Sequence, residues 1–281
     1  MERRSKFLKE ELKFNIIKVG YAFIILCALC FVSSVKAETT EEDYNKLRSI
    51  FSDARISFMS EEEKAIYTDN DLTTEEKLYK VTQTTNGTYT YEELDLSLED
   101  DIRESAAIST YDSSYQTSYK KITFIDVDLD TYHQLTVYTQ WLINPVTQSF
   151  DVTAMRIADG YVVEGTQYGT QVYKKNGSYN MVNYSPNGTN IRKTDNGFGI
   201  SMNLVNGGTE FETDISANVV PTSEYAMAYG TYQHAVTDVS LDESQSYTIS
   251  HNGFGGVLNF ATGVQNKYDR MNGISISLSY S

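Results

Sequence analysis

Residues 173–220 read YKKNGSYNMVNYSPNGTNIRKTDNGFGISMNLVNGGTEFETDISANVV, punctuated by Asn176-Gly177, Asn187-Gly188, Asn196-Gly197 and Asn206-Gly207. These dipeptides recur at intervals of 11, 9 and 10 residues. A two-residue type I′ loop needs positive φ at both central positions, which Asn tolerates and Gly adopts without steric cost. Asn-Gly between alternating apolar residues therefore predicts a β-hairpin. At the end of the stretch Phe211, Thr213, Ile215, Ala217 and Val219 alternate with Glu212, Asp214, Ser216 and Asn218. That pattern predicts a strand with one packed face and one meeting water. Asn86-Gly87, Asn252-Gly253 and Asn272-Gly273 carry the turn signal further along the chain. The expectation is a mainly β protein, an antiparallel β-sandwich with a hairpin meander.

Strand signals flank this stretch on both sides. Lys121 to Val127 and Tyr132 to Ile143 are rich in β-branched and aromatic residues, with Leu135, Val137, Thr139 and Trp141 sharing a face and Pro145 ending the run. Near the C-terminus Val264, Tyr268 and Met271 fit one face of a short helix, after which Ile274, Ile276, Leu278 and Tyr280 alternate with serines. Upstream, Tyr44, Leu47, Phe51, Ala54 and Phe58 recur at helical spacing, and Ser60 followed by Glu61, Glu62 and Glu63 marks a second helix start. Residues 97–118 are rich in Asp, Ser, Thr and Glu with weak periodicity. The organisation read from these signals is a leader at 1–37, a short acidic α-helical N-terminal region with a short strand at 38–96, a linker at 97–118 and a β-sandwich domain at 119–281.

The leader reads as a signal peptide. Arg3, Arg4, Lys6, Lys9, Lys13 and Lys18 precede the apolar run Val19 to Val32, and Val35-Lys36-Ala37 offers a cleavage site after Ala37. The apolar core is shorter than the roughly 20 residues of a comfortable membrane span. The competing reading is a retained anchor, lengthened by Ile16 and Ile17 if Lys18 snorkels. The long basic start leans toward a Gram-positive source, and the expected location is extracellular, with the mature form not embedded in a membrane. Both cysteines, Cys27 and Cys30, lie in this leader. The remainder has none, which excludes thiol catalysis and cysteine zinc sites there. Seven of the 23 basic and three of the 38 acidic residues also lie in the leader, so the remainder holds 16 against 35, a formal charge of −19. Such a surface disfavours nucleic acid as a partner.

Asp126, Asp128 and Asp130 alternate with Val127 and Leu129, an arrangement of hard oxygen ligands for which calcium is the natural ion. The competing reading is three acids on a solvated strand face, so no cofactor is otherwise expected. His133, His234 and His251 stand far apart and belong to no paired metal motif. No Gly-x-Ser-x-Gly elbow or phosphate-binding glycine loop occurs, and no catalytic residues are assigned. The 22 tyrosines against one tryptophan supply flat, polar-tipped surfaces that suit sugar rings or a protein partner, and they equally suit half-exposed strand positions.

Phe51-Ser52-Asp53-Ala54-Arg55-Ile56 with Met59 and Glu61-Glu62-Glu63, Trp141-Leu142 with Asn144-Pro145, and Gly230-Thr231-Tyr232-Gln233-His234-Ala235 together resemble an uncharacterised family of secreted proteins from Gram-positive bacteria. The chain is also similar to the geobacillin type of large secreted bacteriocins, which implies an antibacterial role. The first functional expectation is thus a secreted, non-enzymatic interaction protein, bacteriocin-like, with a cell-surface protein or glycan as partner. The second is a carbohydrate- or cell-surface-binding module. The third, a glycan-cleaving enzyme, would need a carboxylate pair that only folding can reveal.

Overall fold

The computed structural model describes residues 39–84, 88–106, 115–250, 257–271 and 273–279. The expected leader with its cysteines, the turns at Asn86-Gly87 and Asn252-Gly253, Asn272, His251 and Tyr280 lie outside the described residues. Three helices come first: α1 (Glu41–Arg48), α2 (Asp53–Phe58) and α3 (Glu61–Thr68). Then follow β1 (Leu72–Thr84), β2 (Tyr89–Leu94), α4 (Glu99–Ala106), β3 (Tyr115–Asp128), β4 (His133–Ile143), β5 (Phe150–Ile157) and β6 (Gly160–Val162). Next come β7 (Tyr168–Lys175), β8 (Ser178–Tyr184), β9 (Ile191–Thr194), β10 (Gly197–Asn203), β11 (Thr209–Pro221) and β12 (Tyr225–Gln233). Last are α5 (Leu241–Ser244), β13 (Tyr247–Ile249), β14 (Leu258–Phe260) and β15 (Ile274–Ser279).

The strands form an antiparallel sandwich. The larger sheet runs β2-β1-β3-β4-β11-β7-β8 with β6 added beside β11, and the smaller runs β15-β12-β5-β10-β9. Period-two alternation sends Ile122, Phe124, Leu135, Val137, Trp141 and Ile215 of the larger sheet against Met155, Ile157, Phe198, Ile200, Tyr232 and Ile276 of the smaller. Each outer face carries a second apolar cluster. Leu47, Phe51, Ile56, Met59 and Tyr67 of the helices pack on Ile125, Val127 and Tyr138 of the larger sheet. Tyr247, Ile249, Val257 and Tyr268, around the β13–β14 ribbon, pack on Val152 and Ala154 of the smaller.

Several expectations need correction. The Asn-Gly turns do different jobs. Asn176 (φ 53°) and Gly177 (φ 81°) make the expected hairpin loop between β7 and β8. The β9–β10 hairpin instead turns on Asp195-Asn196, since Gly197 already pairs with Thr194. At Asn187-Gly188 and Asn206-Gly207 the chain crosses from one sheet to the other. The described parts of the expected linker are also structured. Glu99, Asp100 and Asp101 occupy the first turn of α4, where the helix dipole favours them, and β3 begins at Tyr115. Nor is 38–96 a separate region: β1 pairs with β3 from Leu72↔Val127 to Thr84↔Tyr115, and Glu41–Ser281 is one compact unit. The first helix breaks because Ser52 caps α2, its hydroxyl accepting from the Arg55 N–H; Arg55, Ile56 and Met59 then face inward in place of Ala54 and Phe58. Among the described residues near the end, only Gln265–Lys267 is helical, as a single 3-10 turn.

Candidate functional site

The expected calcium ligands do not converge. Asp126 is buried and accepts a hydrogen bond from His133 Nδ1 at 2.9 Å, while Asp128 Oδ1 accepts from the Asp130 N–H at 3.0 Å where the chain turns at positive φ. Among the described residues no group of three or more His, Cys, Asp or Glu is placed to hold a metal. Hydrogen bonding to Asp126, ahead of the opposing effect of burial, raises the His133 pKa above its ordinary 6.5.

The polar face of β11 does not meet water. Glu212, Asp214 and Ser216 are buried beneath α1, α2 and α3. Arg55 reaches Asp214 with Nε–Oδ1 at 2.8 Å and Nη2–Oδ2 at 3.2 Å, and also donates to Glu63. Glu212 accepts from Ser52 Oγ and Tyr138 Oη, each at 2.7 Å. Burial opposes the Arg55 charge, but Asp214 and Glu63 more than offset it and the pKa stands above its ordinary value. Burial is the leading cause of the raised pKa values of Glu63 and Glu212, and it holds Tyr138 as a neutral phenol. This cluster fastens the helices to the sheet.

A second polar cluster sits inside the sandwich. Lys120 lies 2.7 Å through Nζ from Asp269 Oδ2, with side-chain exposures of 0% and 1%. Its Nζ stands 5.1 Å from the Trp141 ring centroid and 4.8 Å from that of Tyr232. Tyr232 accepts from Trp141 Nε1 and donates to Asp151 at 2.5 Å. Asp151 also accepts from His234 Nδ1 at 3.0 Å and from the Ala235 N–H at 2.8 Å. Asp269 Oδ1 accepts from the His234 N–H at 3.1 Å. Burial, then the Asp151 charge, pushes Tyr232 well above the ordinary tyrosine range.

On the surface, Tyr161, Val162, Glu164, Lys193, Thr194 and Asp195 line an open cleft of about 350 Å³. It forms where β6 of the larger sheet meets the β9–β10 turn of the smaller, joined by the Val162 N–H donating to the Asp195 carbonyl at 2.9 Å. Tyr161 is 47% exposed, and Lys193 Nζ holds Glu164 at 2.7 Å. Tyr91, Tyr179 and Tyr225 are exposed without lining this cleft. Other tyrosines serve packing: Tyr232 is fully buried, and Tyr173 and Tyr184 lean on the central core.

Lys120, Asp151, Asp269 and the Arg55–Asp214 pair were not singled out by their sequence. A signal existed for two of them. Lys120 shares its face with Ile122 and Phe124, and Asp151 with Met155 and Ile157, so each puts a charge in a core-facing register.

No family model and no curated protein matches the chain. Among solved structures it is similar to the collagen-binding domain from a Staphylococcus aureus adhesin, at 12% identity and a TM-score of 0.26 over 37% of this chain and 75% of that one. It is also similar to the collagen binding domain of the Erysipelothrix rhusiopathiae surface protein RspB, at 9% identity and a TM-score of 0.27 over 61% and 69%. Likenesses this distant carry no functional argument, which rests on the chain's own geometry.

Proposed function

We propose that the protein is a non-enzymatic carbohydrate-binding module working at a cell surface, and that the cleft at Tyr161 is its binding site. The observation that carries this reading is the company Tyr161 keeps. Exposed tyrosines scattered singly need no explanation. Tyr161 instead stands in a concavity with Glu164, Lys193, Thr194 and Asp195, combining a flat ring for the apolar face of a sugar with donors and acceptors for its hydroxyls. The volume falls at the lower end of the roughly 300–1,000 Å³ usual for small-ligand sites. The Glu164 side chain is 78% exposed and engaged by Lys193, unlike the enclosed acid of a glycan hydrolase. The basic and apolar leader supports an extracellular setting. No element of the fold favours the bacteriocin-like reading.

Screening the folded protein against bacterial wall and host glycans, followed by calorimetric titration of any hit, tests the proposal. Tyr161→Ala should weaken binding about tenfold, equivalent to roughly 1.4 kcal/mol, while Tyr225→Ala leaves it unchanged. Absence of any binding glycan, or unchanged binding by Tyr161→Ala, overturns it. Release of reducing sugar would instead establish an enzyme, and clearing of bacterial lawns by the native protein would restore the antibacterial reading.

A further inference from the structure

We propose that Lys120 and Asp269 condense into an intramolecular amide, a covalent cross-link between β3 and the segment leading into β15 that the folded chain forms without a partner enzyme. The starting point is an incompletely matched buried ammonium. Lysine carries three N–H donors and a full charge. At 0% exposure, Lys120 has Asp269 as its hydrogen-bond acceptor among the described residues, and the rings of Trp141 and Tyr232 occupy the neighbouring space. Arg55, the other deeply buried cation described above, is met by two carboxylates.

Solvent-free surroundings favour neutral groups over charged ones, so passage of one proton from Nζ to Asp269 Oδ2, 2.7 Å away, gives an amine beside a carboxylic acid. The amine lone pair attacks Cγ and the carbon–nitrogen bond forms. A second Nζ proton moves to Oδ2, the Cγ–Oδ2 bond breaks, and one water leaves. One positive and one negative charge disappear together, and the product amide nitrogen keeps a single N–H. Oδ1 remains as the amide carbonyl oxygen, still accepting from the His234 N–H that polarises it during attack. Fixed juxtaposition replaces an encounter between free groups, an advantage equivalent to about 10⁵–10⁸ M. Burial then keeps water from reversing the step. Asp151 is a positioning residue, holding the Tyr232 ring below Nζ and the His234 segment beside Oδ1.

Trypsin digestion of the purified full-length chain with mass spectrometry reads the bond directly. Cleavage after Arg103, Lys121, Lys267 and Arg270 should release residues 104–121, uncut at Lys120 and joined to residues 268–270. The joined species should weigh about 18 Da, one water, less than its two parts. Lys120→Arg keeps the charge but should give separate peptides at full mass. Asp269→Asn should still join, with ammonia leaving in place of water. Asp151→Asn, in a chain whose circular dichroism matches wild type, should lower the joined fraction. A wild-type chain that melts cooperatively yet yields a peptide ending at Lys120 and a free 268–270 tripeptide overturns the proposal.

Discussion

Removing the Arg55 side chain should release the helices from the sandwich. Arg55→Ala leaves Asp214, whose side chain is 1% exposed, and the mostly buried Glu63 without their cation. Breaking a buried pair by deleting one partner costs about 3–5 kcal/mol, because the remaining charge has lost the attraction that offset its desolvation. Against the roughly 5–15 kcal/mol of a typical domain, that is a large share. Arg55→Met with Asp214→Asn, which removes the Arg55–Asp214 pair and keeps most of the volume, should cost less, because two desolvation penalties vanish together and only the less deeply buried Glu63 is left without its cation.

Urea unfolding followed by far-ultraviolet circular dichroism separates these cases. The single variant should also respond to pH in a defined direction. With Arg55 gone, Glu63 loses the charge that opposes its burial, so its folded-state pKa lies further above the unfolded value and the variant loses stability as pH rises. Its deficit relative to wild type should therefore be smaller at pH 5 than at pH 8. A deficit under about 1 kcal/mol, the range of a surface pair, would refute the claim that this cluster fastens the helices. So would a double variant as unstable as the single one.

His133 gives a second pH signature. Its pKa is raised by Asp126, so the pair's contribution is full below the unfolded value of about 6.5 and is lost as pH rises through the folded value; the stability gap between wild type and His133→Asn should shrink between pH 6 and pH 8.5, and a constant gap would contradict the pairing. Two glycines should respond for different reasons. A Cβ on Gly230 would lie 2.6 Å from Val137 Cγ2 across the core, so Gly230→Ala should cost about 1–3 kcal/mol through overpacking. Gly177 has open space but φ of +81°, so Gly177→Ala should cost only about 1 kcal/mol of backbone strain; denaturation of both variants checks the order.

Alternation made most strands legible, because β4 and β11 repeat apolar residues with period two and enrich the β-branched types that suit a pleated face. The partner of each strand was less legible. Asn-Gly reports that the chain turns, not whether the next strand pairs alongside or crosses to the facing sheet, and Asn176-Gly177 and Asn206-Gly207 do one each. The polar face of β11 misled for a related reason. Glu212 and Asp214 look like water-facing acids until Arg55 and Ser52, about 160 residues away, arrive as partners. The Tyr161 cleft had no local signal, since its lining comes from segments about 30 residues apart on two sheets.

Two of the buried cations, Arg55 and Lys120, show how one residue class serves two ends. Arg55 offers a planar fork that Asp214 and Glu63 fill, so the charge is matched and the guanidinium stays as it is. Lys120 offers a compact amine on a flexible stem, facing one carboxylate and two rings, so the chemistry that resolves its mismatch is loss of the charge. The positions differ as well. Arg55 holds an added layer to one outer face, whereas Lys120 and Asp269, 149 residues apart, meet only after both sheets have stacked. An amide there closes a loop spanning β4 to β14 and removes about 5 kcal/mol of unfolded-chain entropy by the same reasoning as a disulfide. Beyond residue 37 the chain has no cysteine to form a disulfide. Because the bond can form only in the native arrangement, it leaves the initial folding barrier untouched and acts on the open state from which an exposed protein would otherwise be cleaved.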